Sequence, residues 1–133
     1  MSDAFAAGQV WRAVGRPQDP EPLLLILAVI PNEIIGPVYS IAMTGVRIRN
    51  PAFEGGVQTI LPHAPVTQEV LADAVIELVR EDGPTSAHPD FAEAYSDFRE
   101  LYDAGEGGVF TISVPEILDM VEAGIAFAQS TSH

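Results

Sequence analysis

The chain has no cysteine and no lysine among its 133 residues. Without cysteine there are no disulfides, no thiolate metal sites and no cysteine nucleophile, and a reducing cytoplasm is the expected compartment. Without lysine, Schiff-base chemistry, the P-loop lysine and the lysine of many metal-dependent nuclease sites are excluded. The basic side chains are six arginines against nineteen acids, a net charge of −13. That balance argues against the phosphate backbone of nucleic acid as a partner. Long apolar runs are missing too. The longest, Leu23 to Ile30, suits a buried strand and falls well short of the ~20 residues that span a bilayer, so no membrane partner is expected. The opening Met1-Ser2-Asp3-Ala4-Phe5 carries an acid where an export signal needs positive charge.

The length fits one ordinary domain, able to bury roughly 65–70% of its unfolded surface. Its charge is uneven. Residues 1–60 carry −1, with Arg12, Arg16, Arg47 and Arg49 nearly balancing five acids. Residues 61–133 carry −12, relieved only by Arg80 and Arg99. The second half is therefore the electrostatic face of the molecule.

Residues 8–61 read mainly as β. A short strand at Gln9 to Val14 ends in the proline-rich turn Gly15 to Pro22, and Leu23 to Ile30 is apolar on both faces. Val38 to Arg49 is a long strand whose apolar parity changes, from Ile41 and Met43 to Val46 and Ile48. That places a β-bulge at Thr44-Gly45. Val57 to Leu61 adds a further short strand. Residues 66–127 read mainly as α. The spacing predicts a helix capped by Thr67 and running to about Arg80, and a second over Pro89 to Ala104 with Gly105 as its C-cap. A strand at Val109 to Val114 follows. Ser113-Val114-Pro115-Glu116 is a capping box that opens a last helix to about Phe127, and residues 128–133 form a tail. The expected architecture is α+β: a strongly bent, SH3-like antiparallel sheet or partial barrel, followed by about three helices and one further strand.

Candidate chemistry is sparse. No serine sits in a nucleophile-elbow pattern and no glycine-rich phosphate cradle occurs, since Gly105-Glu106-Gly107-Gly108 follows a helix and precedes a strand. The three histidines share no metal-ligand spacing, so no metal, cofactor or catalytic residue is assigned. His63, in Leu61-Pro62-His63-Ala64-Pro65, reads either as a base or ligand at a pocket mouth or as a loop histidine bonded to backbone. His88 reads as a residue opening the second helix. Arg47 and Arg49 share a strand face, where they either hold an anion or face solvent and pair with acids. The stripe Phe91, Tyr95, Phe98 and Tyr102 reads as core. Glu69, Asp73 and Glu77 recur every four residues on the first helix, and Glu93, Asp97 and Glu100 recur similarly on the second. Such like-charge spacing disfavours a helix by roughly 0.2–0.5 kcal/mol per pair, and the two ridges read either as a face kept for a partner or as merely solvated surface.

The segment Thr44 to Pro51, with Pro62-His63-Ala64-Pro65 ahead of a helix and Gly8-Gln9-Val10-Trp11 near the start, resembles small uncharacterised bacterial proteins. Some of those look like immunity proteins of polymorphic toxin systems. The resemblance covers roughly residues 8–80 and implies no catalytic residues. The leading expectation is a non-catalytic protein that docks a basic partner through its acidic helical half. The alternative is a small-molecule-binding or enzymatic domain, with His63, Arg47 and Arg49 at a pocket between sheet and helices. The third is a homo-oligomer paired at an edge of the β half.

Overall fold

The computed structural model describes residues 5–106 and 108–131, with side chains through 128. Met1 to Ala4, Gly107 and the end of the tail lie outside the described residues. Five strands form one antiparallel sheet: β1 (Val10–Ala13), β2 (Leu23–Ile30), β3 (Val38–Arg49), β4 (Val57–Thr67) and β5 (Val75–Arg80). Their order is β4-β3-β2-β1-β5, so the sheet is open and does not close into a barrel. Three helices complete the α+β fold: α1 (Gln68–Ala74), α2 (Pro89–Asp103) and α3 (Val114–Thr131). Among the described residues no helix is long and apolar enough to cross a membrane.

Alternation along the strands sorts the core into two layers. Leu24, Ile26, Ile41, Met43, Ala64 and Val66 face one way and meet Val70 and Leu71 of α1 and Ile117 and Leu118 of α3. Leu25, Leu27 and Ala42 face the other way onto Phe91 of α2. Further along α2, Phe98 covers Ile30 and Val38. The sheet is thus sandwiched, with α1 and α3 on one face and α2 on the other.

The change of parity in β3 is real. Val46 and Ile48 join the same layer as Ile41 and Met43, and the register against β4 shifts between Thr44 and Ile48. Gly45 makes this geometry, with φ at +70° and its Cα turned toward the Glu21 carbonyl. The capping signals also hold. Thr67 Oγ1 accepts from Val70 N–H, Glu106 N–H reaches the Leu101 carbonyl beyond a left-handed Gly105, and Ser113 and Glu116 cap reciprocally.

Four segments differ from the sequence-based expectation. The last helix runs on to Thr131 instead of ending near Phe127, so residues 128–131 are helical and not tail. The first helix stops at Ala74 rather than Arg80, and Val75 to Arg80 form β5 against β1. Three β-branched residues (Val75, Ile76 and Val79) favour extended backbone, and pairing with β1 decides the outcome. Strand β4 runs on through Pro62 and Pro65 to Thr67, which an edge strand tolerates. Residues 109–114 form no strand. Only Phe110 bridges to Val66, at the outer side of β4, and α3 begins at Val114.

Candidate functional site

Strand β3 outruns its neighbour β2, whose last partner is Leu23 opposite Thr44. The exposed edge beyond that point is satisfied by side chains and a loop. Glu21 N–H binds the Gly45 carbonyl, Asp19 Oδ1 accepts Arg47 N–H at 2.8 Å, Arg16 Nη2 donates to the Arg47 carbonyl at 2.8 Å, and Glu122 accepts Arg49 N–H. Arg16 and Asp19 are 6% and 7% exposed and bonded to each other, and Arg16 also reaches Asp119 and Glu122 of α3 at 3.2 Å. Burial pushes the Asp19 carboxyl upward, but the bonds from the Arg16 side chain and from the backbone of Arg16 and Arg47 outweigh it and hold the pKa below the usual value. The bond to Asp19 raises Arg16 in turn. This network is structural: it seals a strand edge and ties α3 to it. Both residues sit in an irregular loop, where sequence periodicity carries no signal.

The six acids of the predicted ridges are all exposed, but they do not form one surface. Glu69 and Asp73 lie on α1, and Glu93, Asp97 and Glu100 on α2, against opposite faces of the sheet. Glu77 lies on β5, where it pairs with Arg12 at 3.0 Å. The other five make no ion pair among the described residues. Asp90, three residues before Glu93, extends the α2 series over about 15 Å of helix. The same +3, +4, +3 spacing could have revealed it from the sequence.

The cations are largely spent. Arg12, Arg16, Arg80 and Arg99 each have a carboxylate partner, Arg99 holding Asp103 within α2 at 3.0 Å. Arg47 and Arg49 have none among the described residues. With Gln18, Gly56, Val57, Glu122 and Ala126 they line a cleft of about 440 Å³. His63 is elsewhere. It points from β4 under α2, its ring 4.8 Å from Phe98 and 6.1 Å from Tyr95. By strand register it sits beside Ser40 and Ala42, roughly 16–23 Å along the sheet from Arg47 and Arg49. Among the described residues, the cleft lined by Arg47 and Arg49 does not include His63.

Burial pushes the His63 pKa down to about 4, so the ring is neutral at pH 7. Its Nε2 and the Ser40 Oγ are buried on the same face, yet neither has a hydrogen-bond partner among the described residues. They do not bond to each other. His88 caps α2, accepting Asp90 N–H on Nδ1. A groove of about 300 Å³ lies at that end of α2, with Leu23, Leu25 and Phe91 in its lining and Arg80, His88 and Asp90 beside them. Among the described residues no three potential ligands converge to hold a metal. The chain matches no protein-family model, no curated protein and no solved structure.

Proposed function

We propose that this is a non-catalytic binding protein that docks a basic protein partner, in the manner of an immunity-type inhibitor, with the outer ridge of α2 as its docking face. The observation that carries this reading is the row Asp90, Glu93, Asp97 and Glu100, exposed and without any arginine partner on α2 or on the elements around it. Like charges at this spacing cost roughly 0.2–0.5 kcal/mol per pair in the free protein. A partner's Lys and Arg side chains relieve that cost and are steered to the ridge from a distance. The α1 side contributes less, because Glu69 and Asp73 stand on a short helix and Glu77 is already neutralised by Arg12.

The test is affinity capture from the source cell with the wild type and with Glu93→Gln/Asp97→Asn/Glu100→Gln. A basic protein held by the wild type, lost from the triple variant and eluted by moderate salt supports the proposal. Equal capture by both chains contradicts it.

A small-molecule reading keeps one observation in its favour. Among the described residues, Arg47 and Arg49 are the two arginines whose side chains pair with no carboxylate, and together with Glu122 they line one cleft. An anion such as a carboxylate would bind there rather than near His63.

A further inference from the structure

Among the described residues, three buried polar side-chain atoms have no hydrogen-bond partner, and all three gather at α2. Ser40 Oγ and His63 Nε2 lie on the sheet face that α2 covers. Ser40 sits on β3 between Val38 and Ala42, which pack with Phe98 and Phe91 of α2. The third atom, Arg99 Nε, belongs to α2 itself. A buried polar group without a partner favours any opening that gives it water.

Helix α2 is also lightly held. It buries only Phe91 and Phe98. Its two ends are tied by one bond each, from Ser86 N–H to the Leu27 carbonyl at 3.1 Å and from Asn32 Nδ2 to the Tyr102 hydroxyl at 2.8 Å. On the opposite face, α1 and α3 bury Val70, Leu71, Ile117 and Leu118 in the larger core, and Arg16 ties α3 to the edge of β3. Lifting α2 therefore leaves the sheet and its larger core closed, the condition for an opening smaller than global unfolding.

We infer that α2 is a proton-linked flap, which lifts from the sheet as a unit and lets the His63 ring take up a proton when it does. The groups facing that ring give a seated proton no welcome. On α2 they are Tyr95, its ring 6.1 Å away, and Arg99, which donates to the Tyr95 hydroxyl at 3.3 Å and is itself held by Asp103 at 3.0 Å. On this face β3 presents Ser40 and Ala42, and β4 presents Pro65 opposite Ser40, none of them titratable. Burial is the cause that holds the covered ring at about 4, against an ordinary 6.5. The lifted state binds the proton first, so its population rises as pH falls, by about 30-fold between pH 7.5 and 5. Carboxylates stay largely ionised over that range. The flap does not depend on the docking proposal, since it is read on the free chain with no partner present.

Amide hydrogen exchange on the free chain at pH 7.5 and 5, corrected for the intrinsic exchange rate, tests the inference. Amides 93–103 are expected to open together, at least about tenfold more often than those of β2 and β3 at both pH values. Their common opening constant is expected to rise about 30-fold on acidification. In His63→Phe, and separately in His63→Leu, that rise should shrink to less than about threefold. Exchange of α2 in step with β2 and β3 overturns the inference. So does a wild-type opening constant that is the same at both pH values, or a rise that persists in both variants.

Discussion

Glu77 accepts a hydrogen bond from Arg12 Nη1 at 3.0 Å, across strands β5 and β1 and 65 residues apart in the sequence. The pair lies directly opposite in the ladder and is largely exposed on both sides. A double-mutant cycle with Arg12→Ala and Glu77→Ala should give a coupling of about 0.2–1 kcal/mol by denaturant melts. A helix over residues 68–80 offers no such contact, so zero coupling speaks against β5.

Asp19 accepts two bonds from the Arg16 side chain and one each from the backbone of Arg16 and Arg47. Asp19→Ala leaves a buried guanidinium with less than its full set of partners and opens the β3 edge. The expected cost is about 3–5 kcal/mol, read from chemical unfolding. The Asp19 pKa lies below 3.8 in the folded protein, so its contribution is complete above that value and is lost as pH falls further.

His63 acts in the same sense but in a different window. Its folded pKa of about 4 lies below the ordinary 6.5, so the unfolded chain binds the proton first. Stability should therefore fall by about 3 kcal/mol as pH drops from 6.5 to 4. His63→Phe, which fills the space beside Phe98 and removes the unpartnered Nε2, should flatten that slope. An unchanged slope in thermal melts across this range would mean that another group is responsible.

Gly45→Ala would place a Cβ 1.9 Å from the Glu21 carbonyl oxygen at a φ of +70°. The loop carrying Arg16 and Asp19 cannot shift without losing its hold on β3. We expect a loss of more than about 2 kcal/mol, measured as a lower urea midpoint.

Local signals were the legible part of the sequence. The bulge at Gly45, the caps at Thr67, Gly105 and Ser113/Glu116, and the apolar β2 strand each depend on a few adjacent residues. The β5 strand was hidden because Leu71, Ala74, Val75, Leu78 and Val79 have helical spacing, while the β1 partner that overrides it lies far away in the chain. The same error placed Glu77 on a ridge with Glu69 and Asp73. Strand 109–114 looked plausible from Val109, Ile112 and Val114, but one bridge to Val66 is all the edge of β4 offers it. The α2 ridge was legible nearly whole, since both its charge and its spacing are local.

The central claim is that the α2 acids are kept for a partner and are not holding the fold together. It is tested most directly by measuring, on Glu93→Gln/Asp97→Asn/Glu100→Gln, both the thermal melt and the association rate with the captured basic protein at several salt concentrations. The account predicts a melting temperature unchanged or slightly raised, slower association, and a flatter salt dependence, since exposed charges act within a Debye length of about 8 Å at physiological ionic strength. Lost stability with an unchanged association rate and salt slope would contradict it.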